Sequence, residues 1–173
     1  MSIRLEDVTR DNFKACIRLQ PREDQRHFVA PNAVSLAESK FYPELVPQAI
    51  YAGDTLVGFL MWGPEEPGDE PGTIWVARLM IDARYQGNGY GRAAMEAVIA
   101  QARANPQATQ ILLSFEPENA GAEALYSSLG FQRTGAIQEG EVVVRLALRD
   151  RKTCEDPKLM LMRNRTTAPV WMV

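Results

Sequence analysis

At 173 residues the chain is long enough to bury a full core, and 46% hydrophobic with 24% charged residues is the balance of an ordinary globular domain, not of a fibre or a disordered polymer. A formal charge of -3 offers no basic face to nucleic acid and favours a cationic or neutral partner. One histidine and two distant cysteines, Cys16 and Cys154, make no metal cluster, and no run approaches the ~18 apolar residues of a membrane span.

The opening MSIRLEDVTRDN has no apolar leader, so a cytoplasmic protein with reduced thiols is expected. Within it, SIRLEDVT alternates as a half-buried strand does, and Thr9, Asp11 or Asn12 can cap a helix through NFKACIRLQ. After Pro21, QRHFVAPNAVSLAESKF reads as a loop followed by a helix capped by Asn32 and ending before Pro43. QAIYAGDTLVGFLMWG is a hairpin about a Gly53-Asp54 turn. PEEPGDEPG, with three prolines, two glycines and four acids, is an exposed loop.

TIWVARLMIDARY is apolar enough for a strand buried on both faces. GRAAMEAVIAQARA is a helix presenting Met95, Val98, Ile99 and Ala102 on one face and stopping at Asn105-Pro106. TQILLSFEP is a further strand, NAGAEALYSSLG a helix capped by Asn119 and closed by Gly130, and EVVVRLAL the last strand, after a turn at Glu139-Gly140. The order is β α α β β β α β α β β. Residues 1–149 form one α/β domain, and 150–173 a tail that is flexible or packed on a partner subunit.

The chemistry concentrates in RYQGNGYGRAAM, residues 84–95, where three glycines run into a helix start. A dinucleotide fingerprint needs its third glycine where Arg92 stands, and a Walker loop needs a lysine and a hydroxyl that GRA lacks. What remains is a metal-free anion cradle of backbone N–H groups, helped by the helix dipole, Arg84 and Arg92.

QGNGYG fits the Q/R-x-x-G-x-G/A loop of the GNAT acyl-CoA N-acetyltransferases at Gln86, Gly89 and Gly91. NAGAEALYSSLGF resembles the same family's N-x-x-A-x-x-L-Y-x-x-x-G-F helix at Asn119, Ala122, Leu125, Tyr126, Gly130 and Phe131. The resemblance covers residues 1 to about 149. It implies a mixed sheet of about seven strands with an antiparallel N-terminal half, flanked by about four helices. It also implies acetyl-CoA as co-substrate without a metal, and often a homodimer. Leu79, Met80 and Ile81 would meet the pantetheine arm, and Gln86, Gly87, Asn88, Gly89, Tyr90, Gly91 and Arg92 would hold the pyrophosphate. Asn119 would contact the cofactor, and Tyr126 would stand near its sulfur.

Moving an acyl group from a thioester to an amine needs a neutral nitrogen, support for an oxyanion and a proton for the leaving thiolate. Tyr126 is the candidate acid, a phenol near ~10 facing a thiol near ~8.5. Neither cysteine has a base nearby in sequence, so transfer is expected to be direct. The base is open between Glu116, at the end of its strand, and a water chain. His27, in the irregular segment before the second helix, is a catalytic or substrate-contacting candidate. Ala77 stands where some relatives carry an acid.

Glu65, Glu66, Asp69 and Glu70 place four negative charges together, suited to drawing in a polycation. With FVAPNAVSLAES and RLMIDARYQGNGYGRAAM, the chain looks like the bacterial spermine/spermidine acetyltransferase branch. Acetylation of an amino acid, an antibiotic or a peptide amine, and a non-catalytic acyl-CoA-binding module, are the alternatives.

Overall fold

The computed structural model describes residues 3–64 and 68–149. Seven strands build one mixed sheet: β1 (Ile3–Asp7), β2 (Val46–Ala52), β3 (Thr55–Pro64), β4 (Thr73–Ile81), β5 (Gln110–Phe115), β6 (Gln132–Gln138) and β7 (Glu141–Ala147), in spatial order β1-β2-β3-β4-β5-β7-β6. Only β4 and β5 run parallel, joined by the crossover helix α3 (Tyr90–Ala104). The remaining helices are α1 (Phe13–Arg18) and α2 (Asn32–Phe41), between β1 and β2, and α4 (Ala120–Ser128), between β5 and β6. The element order and the antiparallel first half are those expected from the sequence.

Strand alternation sends successive residues to opposite faces, and the core divides accordingly. Ile50 and Leu60 join Met95, Val98 and Ile99 of α3 on one face, while Ala49, Phe59, Met61 and Met80 join Cys16 and Leu19 on the other. The helical stripe of α3 is buried as its spacing requires, with Ala94 added to it. Each fully buried Val, Ile or Met contributes about 1.5–3 kcal/mol over its exposed state.

Three local expectations are corrected. Asn12 sits at the start of α1 without capping it: its Oδ1 accepts from the Thr9 N–H at 2.7 Å and its Nδ2 donates to the Asp7 carbonyl at 3.1 Å, fastening the turn to β1. Asn32 is not a cap either. It lies inside α2, 3% exposed, and its Nδ2 donates to the Cys16 carbonyl at 2.8 Å, joining α2 to α1. Thirdly, β4 is buried on both faces only in part, since Trp75, Ala77, Arg78, Leu79 and Ile81 are half-buried.

The reason is a parting of strands. β4 pairs with β5 from Thr73 to Val76, opposite Gln110 to Leu113, so among the described residues its last five have no paired strand on that side. On its other side the register with β3 shifts between Met61 and Trp62, which face Arg78 and Val76 and leave Ala77 as an extra residue. Such a bulge bends a strand and increases its twist. β5 meanwhile stays with β7 through Phe115 opposite Val142, and a V-shaped gap opens between β4 and β5.

Candidate active site

The gap leads into a cleft of about 1340 Å³ that runs from the segment after α1 to the start of α4. Asp82 follows β4 and starts a short 3-10 turn, Ala83–Tyr85, by accepting from the Arg84 N–H at 3.0 Å. It also accepts from the Gln20 N–H at 3.2 Å and from the Arg84 side chain at 2.7 Å. Burial pushes the Asp82 carboxyl up, but these hydrogen bonds and the Arg84 charge outweigh it and leave it below the ordinary carboxylate value. Arg84 is thereby committed to Asp82, lies over the Tyr85 ring and does not line the cleft.

The glycine loop comes next, and its side chains hold its shape. The Gln86 amide donates to the Ile81 carbonyl at 3.0 Å and to Gln25 Oε1 at 2.8 Å, while Asn88 Nδ2 donates to the Tyr85 and Gln86 carbonyls at 3.0 and 3.2 Å. Gly87 and Gly89 take φ of +80° and +79°, a left-handed geometry that favours glycine, and Gly89 starts α3. Among the described residues the backbone N–H groups of Gln86 to Arg92 have no acceptor. Orphan N–H groups at the positive end of a 15-residue helix suit a pyrophosphate, and open space beside Gly87 and Gly89 leaves room for one. Arg92 lines the cleft there, steadied by Ser128 Oγ.

Across the gap, Asn119 caps α4, its Oδ1 accepting from the Ala122 N–H at 3.0 Å. Tyr126 follows on the same helix with its ring between Phe115 and Phe131, centroids 5.9 and 5.7 Å away. It is only 8% exposed and its hydroxyl has no hydrogen-bond partner among the described residues. Burial first, and the charge of Glu141 second, push that hydroxyl well above the ordinary tyrosine value.

Of the residues singled out in the sequence, the cleft therefore gathers Leu79, Met80, Ile81, Gln86, Gly87, Gly89, Tyr90, Gly91, Arg92, Asn119 and Tyr126, together with the exposed His27, which stacks tilted on Phe28. Asn88 shapes the loop from outside it. Glu116 does not line it: the residue follows β5, and its carbonyl accepts from the Asn119 N–H at the turn into α4. Glu65 and Glu66 lie outside the described residues, as do Cys154 and the 150–173 tail. Asp69 and Glu70 do not line the cleft, and Asp69 accepts from the Trp75 indole N–H.

Carboxylates not singled out beforehand do line it: Glu38, Glu44, Glu139 and Glu141. Glu38 is paired with Arg78 at 3.1 Å, whereas Glu141 accepts from Ser114 Oγ. Cys16 is fully buried away from the cleft, and burial pushes its thiol up to about 11, against its own backbone hydrogen bond. It is no nucleophile at neutral pH. Among the described residues no group of three or more metal-ligating side chains converges, and no helix is long and apolar enough to cross a membrane.

Comparison with known proteins agrees with this geometry. The model of the acetyltransferase (GNAT) family matches residues 6–131. The chain is 34% identical over 148 residues to the spermine/spermidine N(1)-acetyltransferase of Bacillus subtilis (strain 168), covering 83% of this chain and 97% of that one. In fold it resembles the aminoglycoside acetyltransferase AAC(6')-Ib in complex with coenzyme A (TM-score 0.71, 16% identity, 91% of this chain and 99% of that one). It likewise resembles the spermidine N-acetyltransferase of Vibrio cholerae in complex with CoA and spermine (TM-score 0.66, 15% identity, 84% and 95%). With its parted β4 and β5, its glycine loop and its matched family model, the chain belongs to the acetyltransferase (GNAT) family.

Proposed function

We propose that the protein transfers an acetyl group from acetyl-CoA directly to a primary amine of a polyamine such as spermidine or spermine. The observation that carries the acceptor side is the set of carboxylates in the cleft, with Glu44 contributed from between α2 and β2 and Glu139 and Glu141 from the β6–β7 turn. Charges of one sign in a cleft with low-dielectric walls concentrate and orient a polycation. The 34% identical spermine/spermidine acetyltransferase supports the same reading.

Acetyl-CoA supplies an activated acyl carbon and a thiol leaving group. The orphan N–H groups of residues 86–92 hold its pyrophosphate, and the unpaired edge of β4 from Ala77 to Ile81 takes the pantetheine arm by backbone hydrogen bonds. That edge also offers an N–H to the carbonyl oxygen as it gains charge. Asn119 fixes α4 and with it Tyr126, whose hydroxyl donates to the departing sulfur. A phenol above ~10 gives a proton to a thiolate near ~8.5 only uphill, by about 2 kcal/mol or more. Tyr126 therefore acts first as a hydrogen-bond donor, and its proton moves as the C–S bond breaks rather than beforehand.

The direct test is thiol release from acetyl-CoA with a panel of amines. Spermidine and spermine are expected to give a kcat/KM at least ten times that of glycine or tobramycin. Equal or better rates with glycine or tobramycin overturn the polyamine assignment, and CoA binding without turnover of any amine overturns catalysis altogether.

A further inference from the structure

Glu141 stands apart from the other carboxylates of the cleft. It opens β7, is half-buried and accepts from the hydroxyl of Ser114, which is the first residue of β5 beyond its pairing with β4. Among the described residues no Lys, Arg or His forms an ion pair with it, although Glu38 has Arg78 and Asp82 has Arg84. Tyr126, nine-tenths buried and with its hydroxyl unpartnered among the described residues, packs its ring on Phe115, which follows Ser114 and pairs with Val142, the residue after Glu141. Both line the same cleft.

A carboxylate withdrawn from water costs free energy unless a cation or several donors compensate it. Ser114 provides one donor, and the adjoining Phe115 and Val142 provide none. Glu141 itself lines the cleft into which the gap between β4 and β5 leads. A cationic group entering from the cleft would satisfy the carboxylate and arrive next to Tyr126.

We propose that Glu141 receives the ammonium group of the acceptor at the point of reaction and takes from it the proton that must leave before nitrogen can bond to carbon. Ser114 is its positioning residue. The inference rests on the acceptor being a protonated amine, as in the function proposed above.

The atoms balance as follows. The ammonium gives one proton to Glu141, and the freed lone pair forms the C–N bond while the C–S electron pair departs on sulfur. Sulfur takes the Tyr126 proton, the second proton leaving nitrogen restores the phenol through water, and Glu141 returns its proton to solvent. The sum is an amide, a thiol and one released proton.

The test compares wild type, Glu141→Gln and Ser114→Ala in two measurements on the full chain. Calorimetry reads spermidine affinity for the CoA-saturated protein, and steady-state kinetics read kcat at saturating amine. Glu141→Gln is expected to weaken spermidine binding at least 10-fold and lower kcat at least 10-fold, with CoA affinity unchanged. Ser114→Ala is expected to shift both in the same direction by a few-fold. Unchanged spermidine affinity overturns the recognition role, an unchanged kcat overturns the proton role, and a matching loss of CoA affinity makes Glu141 a purely structural residue. If wild type prefers another amine to spermidine, the polyamine assignment fails by itself, and the same comparison with the preferred amine still decides the role of Glu141.

Discussion

The Gln86 side-chain amide donates to the Ile81 carbonyl at 3.0 Å, which fastens the glycine loop to the last residue of β4. This hydrogen bond ties the β4 edge, proposed above to take the pantetheine arm, to the loop N–H groups proposed to take the pyrophosphate. A net contribution of about 0.5–1.5 kcal/mol predicts that Gln86→Ala raises the Kd for CoA roughly 3–10-fold. Calorimetry with CoA measures this, and an unchanged Kd would show that the loop keeps its shape without Gln86.

Gly89 combines φ of +79° with its place at the start of α3. A β-branched side chain there costs at least about 1–2 kcal/mol in the left-handed region, and the loop escapes by turning its N–H groups away. Gly89→Val is expected to weaken CoA binding at least 10-fold while the far-ultraviolet circular dichroism stays that of the wild type. Wild-type affinity would remove the backbone cradle from the account.

Asp82 joins the end of β4 to the segment after α1 through Arg84 and the Gln20 N–H. Its folded-state carboxyl lies below the unfolded value of ~3.9, so the ionised form stabilises the fold above that value, and the contribution is lost as pH falls through the folded value. Asp82→Asn should therefore lower Tm at pH 7, with a difference from wild type that narrows below about pH 4. A difference independent of pH would mean that shape, not charge, is what Asp82 contributes.

Cys16 is fully buried with its thiol raised to about 11. Iodoacetamide at neutral pH is expected to leave the Cys16 peptide unmodified in the native protein and to modify it in urea, as read by mass spectrometry. Rapid native labelling would reopen the route through an acyl-cysteine.

Much of this architecture was legible in the sequence because local periodicity and tertiary packing agree. The α3 stripe and the Gly53-Asp54 hairpin are examples, and so is the Asn119 cap. The parting of β4 from β5 was not legible: TIWVARLMI is equally apolar before and after Ala77, and the bulge is decided by pairing with β3. Asn32 has the chemistry of a cap, and only the packing of α1 against α2 reveals that its amide serves the Cys16 carbonyl. Glu141 looked like the first residue of a strand after a turn. The order β5-β7-β6 brings it to Ser114, 27 residues earlier, and no local pattern encodes that neighbour. Glu116 is absent from the cleft lining for a similar reason, since its position depends on how β5 enters α4.

The central claim is that the gap between β4 and β5 performs acyl transfer with Tyr126 at the leaving sulfur. Tyr126→Phe keeps the ring between Phe115 and Phe131 and removes only the unpartnered hydroxyl. Steady-state thiol release, with CoA affinity measured alongside, is expected to show kcat lowered by about 10²-fold or more at unchanged CoA Kd. A kcat equal to that of the wild type would contradict the account.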